Sequence, residues 1–299
     1  MSGISLTQQT FSAFVENFLF DRISKGRTKK TIEYYRSELY LFFNWIDATS
    51  LEKITSEILR KYFIDLAERR SKGGIHCSYR VIKAFFNWAW EEYEFDSKNP
   101  ISKVKIQRNN IPPLPEISLD DIQRLINSCD GRLRLRDTAI LKCLTDTGCR
   151  ASEFLALNYG DINLNSGSVL IKHGKGDKAR IVWLGKKSKM ALQDYLSTRE
   201  VLDASSPLWL NDDNRRLQFF GLRELVKRLC KRSGVQSTGA LHAFRRTFAI
   251  TMFRSGADLL SISRLLGHCN IEITKRYLNV NDNDLRLAHA KASPGDILE

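Results

Sequence analysis

At 299 residues the chain is long enough for two domains of ordinary size, each able to bury its own core. Lys and Arg outnumber Asp and Glu by 47 to 34, a formal charge of +13 with a pI near 9.5, which points to a polyanionic partner and most simply to nucleic acid. No stretch approaches the roughly 18 uninterrupted apolar residues of a membrane span, and the opening MSGISLTQQT lacks the basic-then-apolar pattern of a secretory signal, so a soluble, cytoplasmic protein with no membrane partner is expected.

The basic excess is spread along the chain. Residues 1–110 hold 18 basic and 13 acidic side chains, and the remainder hold 29 and 21. Such a distribution suits a protein that grips a phosphate backbone from two sides, although a Lys-rich solvated surface has the same composition. Cysteines at positions 77, 129, 143, 149, 230 and 269 form no C-x-x-C pair, so reduced thiols are expected and a zinc site is not supported.

Phe11, Phe14, Val15, Phe18 and Leu19 recur at helical spacing and predict a first helix from about Thr7. A basic turn at residues 23–30 follows, and Ile32, Tyr35, Leu39, Phe42, Phe43 and Ile46 repeat the helical period. Thr55 reads as the N-cap of a third helix carrying Ile58, Tyr62, Phe63 and Leu66 to a polar stop at residues 69–74. A fourth helix is expected from about Ile75 to the Asn99-Pro100 break, which completes a four- or five-helix domain. The basic loops at 27–30 and 69–72 are candidates for phosphate contacts and equally for solvated connections.

Residues 103–115, KVKIQRNNIPPLP, lose the helical period and read as a linker. Ser118, followed three residues later by Asp121, then starts a second domain with a capping-box-like signal. Residues 135–147 predict a buried helix ended by Gly148 in a left-handed conformation, with Arg150 and Glu153 three apart on the next helical turn. Period-two patterning at Val169, Ile171 and His173, then GKGDK, then Ile181 and Trp183 with Val182 and Leu184 opposite predicts a β-hairpin with lysines at its tip. Helices are expected at 186–198, 219–232, 243–253 and 259–266, with His268 just past a Gly267 stop, and a short one at 284–291.

In-line attack on a phosphodiester places extra negative charge on its equatorial oxygens, so fixed positive charge and positioning dominate catalysis. Arg150 and Arg245 each offer a planar donor fork that stays charged at any working pH. Tyr277 carries a phenol able to attack phosphorus and leave again. Lys175 at the hairpin tip can protonate a departing oxygen, and the chemistry alone does not choose it over Lys172 or Lys178. His242, one turn before Arg245, and His268 can bond the same phosphate or carry a proton. Taken singly, each of these residues has an ordinary structural reading.

Taken in order, TGCRASEFLAL, HGKGDKARIVWLG, LHAFRRTFA and LLGHCNIEITKRYLNV resemble the motifs of the tyrosine site-specific recombinases (integrases), closest to their Xer-like branch. The resemblance implies a mainly α protein with an α+β catalytic domain: a SAM-like helical core-binding domain at 1–108, a linker at 109–117, and a catalytic domain with a small β-hairpin or sheet and a helical tail at 118–299. It implies catalytic roles for Arg150, Lys175, His242, Arg245, His268 and the nucleophile Tyr277, with Glu153 in support. It implies DNA recombination through a 3′-phosphotyrosyl link without metal or cofactor. The implied partners are double-stranded DNA sites, gripped in a C-shaped clamp by a homotetramer, or by a heterotetramer with a related recombinase. Cys149 and Cys269 beside these positions depart from the pattern without removing a reacting group. A non-catalytic DNA-binding protein and a type IB topoisomerase are the competing readings.

Overall fold

The computed structural model describes residues 11–46, 50–106, 116–172, 179–200, 203–236, 240–268 and 270–275, with Arg286, His289, Ala290, Ser293 and Asp296 beyond them. The chain divides into two compact units, Met1–Pro112 and Pro113–Glu299.

The first unit is built from α1 (Phe11–Ser24), α2 (Lys29–Trp45), α3 (Ser56–Arg69) and α4 (Lys72–Glu92). Thr28, Thr55 and Ser71 cap the last three, each side-chain oxygen accepting the backbone N–H three residues on. The apolar stripes close on an aromatic core in which Phe18, Phe42, Phe85 and Phe86 are fully buried. Phe18 meets Phe85 edge to face with centroids 5.5 Å apart, and Phe42 meets Tyr62 at 4.9 Å.

Two boundaries differ from the sequence expectation. The stretch read as a stop at residues 69–74 instead holds the start of α4, because Ser71 caps it and Gly73 and Gly74 fall in its first turn. At the other end α4 stops at Glu92, seven residues before Asn99. Glu94 adopts a left-handed φ of 46°, and the Tyr93 and Phe95 rings turn back onto Trp88 and Trp90. Asn99 caps a short 3₁₀ turn, Pro100–Lys103.

The second unit begins with α5 (Leu119–Asn127), capped by Ser118, and α6 (Arg134–Thr147), followed by the short α7 (Ala151–Ala156). Then come β1 (Ile162–Asn163), β2 (Ser168–Ile171) and β3 (Arg180–Trp183), antiparallel neighbours in that order. A 3₁₀ turn, Tyr159–Asp161, leads into β1, and five helices follow the sheet among the described residues: α8 (Lys186–Leu196), α9 (Phe219–Ser233), α10 (Ala240–Arg254), α11 (Leu259–Leu266) and α12 (Ile271–Lys275). α6 is the central element, packed against α8 and α10. Trp209, with no exposed surface, stacks on Phe154 of α7 at 4.7 Å and on Tyr195 of α8 at 5.8 Å.

The sheet shows the expected alternation along β3 and fixes which of its faces points inward. Val169 pairs with Val182, and Val182 and Leu184 join Val169 and Ile171 in the core. Ile181 and Trp183 lie on the outer face, 48% and 55% exposed. With a side-chain period of two, that register turns Arg180 inward, in phase with Val182. The strand β1 was not anticipated; at two residues it is too short to leave a periodic signal.

Candidate active site

Two helix ends meet at the site, those of α6 and α11, joined by Arg245. Gly148 closes α6 with φ 57°, a left-handed conformation that a side chain rarely adopts. A Cβ there would lie 2.5 Å from the Phe248 ring, so α6 and α10 approach each other only because this residue has none. The carbonyl of Gly148 accepts from Arg245 Nη1 at 2.9 Å. Gly267 closes α11 in the same way with φ 65°.

A helix C-terminus leaves its last carbonyls without intrahelical donors and carries the negative end of the helix dipole. At the end of α11 these carbonyls are taken by arginines from three separate elements. Leu265 O accepts from Arg180 Nε at 2.7 Å, Leu266 O from Arg245 Nη2 at 2.6 Å, and Gly267 O from Arg150 Nη2 at 3.2 Å. Cationic side chains thus gather there because the backbone supplies acceptors.

Glu153 is the buried carboxylate among them. Its Oε1 accepts from Arg150 Nη1 at 2.7 Å and Arg180 Nη1 at 3.2 Å; its Oε2 accepts from the Arg150 backbone N–H at 3.0 Å and Arg180 Nη2 at 2.6 Å. Burial alone raises a carboxyl pKa, but the hydrogen bonds from Arg180 and from Arg150 outweigh it and hold Glu153 below its ordinary value. It stays ionised, and against it stand the guanidinium groups of Arg150, Arg180 and Arg245. The local field is positive, as an anion site requires.

Arg245 is 2% exposed, whereas the Arg150 side chain keeps 24% of its surface. Arg245 Nη2 lies 2.8 Å from His268 Nε2, and His268 Nδ1 lies 2.7 Å from Thr274 Oγ1. A guanidinium only donates, so Nε2 accepts and the proton of the neutral ring sits on Nδ1, where it donates to Thr274. Burial, and then the charges of Arg245, Arg150 and Arg180, push the His268 pKa down to about 4. His242 stands in the first turn of α10 on its exposed side, and its pKa is lowered by desolvation and then by Arg245 and Arg150.

The structure therefore brings Arg150, Glu153, Arg245 and His268 together, with His242 close enough to feel both arginines. Lys172 is engaged elsewhere, its Nζ 2.6 Å from Oδ1 of the buried Asp161. Lys175, Lys178, Tyr277, Cys269 and most of the expected helix at 284–291 lie outside the described residues. Sequence reasoning missed Arg180 and Thr274. For Arg180 a signal existed: a charged residue in phase with Val182 and Leu184 must point into the core and find a counter-charge there. Thr274, buried in a five-residue helix, left none.

Helices around a small antiparallel sheet, with arginines converging on two helix ends, define a mainly helical domain built around a cationic site, and comparison with known proteins identifies its family. The family model described as "Phage integrase family" matches residues 116–284. The tyrosine recombinase XerC of Thermodesulfovibrio yellowstonii is 31% identical over 296 residues, covering 94% of this chain and 96% of that protein. The tyrosine recombinase XerD of Listeria monocytogenes is 29% identical, covering 94% and 98%. Among solved structures, the XerA recombinase matches with TM-score 0.55 at 26% identity over 95% of this chain and 99% of that one. The Tn1549 transposon integrase, in complex with a circular intermediate DNA, shares the fold with TM-score 0.77 at 16% identity over 94% and 99%. The chain belongs to the phage integrase family of tyrosine recombinases, in its Xer-like branch. Its activity is site-specific DNA recombination by strand cleavage and rejoining.

Proposed function

We propose that Tyr277 is the nucleophile of this reaction and that Arg150, Lys175, His242, Arg245 and His268 complete its catalytic set, with Glu153 in support. The phenol oxygen of Tyr277 attacks the scissile phosphorus as His242 takes its proton, the bond from phosphorus to the 5′-oxygen breaks, and a 3′-phosphotyrosyl link remains. Arg150 and Arg245 hold the nonbridging oxygens, where charge grows in the transition state. A hairpin lysine protonates the departing 5′-oxygen. Lys172 is the weakest of the three candidates because its ammonium is already paired with Asp161; of Lys175 and Lys178, the G-K-G motif resemblance selects Lys175. The 5′-hydroxyl of the partner strand then attacks the same phosphorus, and Tyr277 leaves.

The observation that carries this reading is the convergence of Arg150, Arg245 and His268 on the end of α11, a few residues before Tyr277 in the chain. In the same reading residues 1–108 form the core DNA-binding domain, 109–117 the linker and 118–299 the catalytic domain. Double-stranded recombination sites are its partners in the cytoplasm, and four protomers, alike or paired with a related recombinase, join two sites. The segment from residue 284 onward docks on a neighbouring protomer.

A nicked suicide duplex tests the chemistry, its site first selected from a random-sequence duplex pool by binding to the full chain. Wild-type protein is expected to form a denaturant-resistant adduct with the DNA, and Tyr277→Phe to form none. An adduct of undiminished yield in Tyr277→Phe would refute the assignment.

A further inference from the structure

We propose that Arg180 is a positioning residue for strand cleavage, fixing the Arg150–Glu153 pair, the end of α11 and the base of the lysine hairpin in one register. The proposal rests on the reading of Arg150 and Lys175 as catalytic. Arg180 is the first residue of β3, and its backbone pairs with Ile171. It therefore stands where the hairpin leaves the sheet, five residues after Lys175.

Its side chain is 10% exposed, and its guanidinium is spent on protein acceptors: both oxygens of Glu153 and the carbonyl of Leu265. The approach is close. A Cβ on Gly267 would lie 2.9 Å from Arg180 Nη1, so the residue preceding His268 leaves room for this arginine by having no side chain. One planar fork thus links β3, α7 and α11. Those elements lead respectively to Lys175, to Arg150 and to His268.

The consequence for Arg150 is specific. Glu153 divides its oxygens between two arginines, and Arg180 takes one donor contact on each. Without Arg180, the buried carboxylate has only Arg150 left as a counter-charge, and it would draw that guanidinium toward itself and away from a bound phosphate. Lysine cannot replace the fork, since a single ammonium does not span two carboxylate oxygens and a carbonyl.

The test uses the full chain, the selected nicked suicide duplex at saturating protein, single-turnover adduct rates and DNA affinity by fluorescence anisotropy. Arg180→Gln is expected to slow adduct formation by about 10- to 100-fold, the scale of a small misplacement of catalytic groups, with affinity changed by less than about threefold. Arg180→Lys is expected to recover part of the rate. Adding Glu153→Gln to Arg180→Gln is expected to restore rate relative to Arg180→Gln alone, because the unshared carboxylate is gone. A merely structural loss would be deepened by the second substitution, so that outcome overturns the proposal, as does a wild-type rate in Arg180→Gln or a rate loss matched by lost affinity. If Arg180→Gln does not fold, the folded Arg180→Lys decides, and an unchanged rate there sinks the idea. Tyr277→Phe run alongside separates the two readings, since an adduct in it overturns the assigned chemistry whereas a normal Arg180→Gln overturns only this inference.

Discussion

His268 combines a tautomer fixed by Arg245 with a pKa depressed first by burial and then by the charges of Arg245, Arg150 and Arg180. Arg245 donates into Nε2, so protonating the ring would place a cation against a guanidinium 2.8 Å away in a partly buried setting. Near neutral pH the ring is uncharged and serves to hold Arg245, with Thr274 steadying its other nitrogen. The stability consequence has a definite sign. Between the ordinary histidine value of 6.5 and about 4, the unfolded chain binds a proton at this position that the folded chain does not. Stability contributed by neutral His268 is therefore present above 6.5 and is lost as pH falls toward 4. Urea midpoints measured from pH 7.5 to 5 are expected to fall more steeply for wild type than for His268→Asn. Parallel curves would mean that the ring is not held neutral by the fold.

At the scale of elements, residues that terminate helices were the most legible. Thr55, Ser118 and Gly148 were readable as caps because a cap is decided by one side chain, or its absence, next to a periodic segment. Gly73 and Gly74 misled because low helix propensity is a weak signal in a first turn whose N–H groups lack helical partners anyway. The inward face of β3 is not legible in the sequence because Ile181 and Trp183 are as apolar as Val182 and Leu184, and only the register with β2 separates them. In the site, Arg150, Glu153, Arg245 and His268 stood out through their motifs, whereas Arg180 emerges only once its face of the strand is known.

The Gly148 cap also yields a comparison with an internal control. Gly148 and Gly234 both end helices with positive φ, 57° and 69°. A Cβ on Gly234 meets nothing within 4 Å, whereas one on Gly148 strikes Phe248. Both Ala substitutions carry the left-handed backbone cost of about 1–2 kcal/mol. Gly148→Ala is expected to cost about 1–3 kcal/mol more, because α10 must shift away from α6. It should also slow adduct formation, since Arg245 rides on α10 and bonds the Gly148 carbonyl. Equal urea-denaturation losses for the two variants would show that the α6–α10 contact yields freely.

For the whole molecule the decisive quantity is charge on both units. Each carries a basic excess, and in the first unit cationic side chains cluster at helix starts: Lys29 and Lys30 after the Thr28 cap, and Lys72 after Ser71. A helix N-terminus already favours phosphate, so a lysine there adds a mobile charge to oriented N–H groups. Placement is helped by a buried brace. Arg70, immediately before Ser71, donates to both oxygens of Glu38 on α2 at 2.8 and 2.9 Å, and Ser78 of α4 donates to the same carboxylate at 2.6 Å. The start of α4 is thereby tied to the middle of α2 within one unit. If this surface engages the DNA backbone, binding must release counterions, and affinity must fall steeply with salt. For about 6–10 phosphate contacts the loss between 50 and 200 mM is on the order of 10³- to 10⁵-fold. Lys72→Ala is expected to weaken binding uniformly across duplex sequences and to flatten the log–log salt slope by about 1. Because Lys72 is remote in sequence and role from the phosphate chemistry, its adduct rate at saturating protein should match wild type. An unchanged slope would remove the start of α4 from the DNA-binding surface while leaving the assignment of Tyr277 untouched.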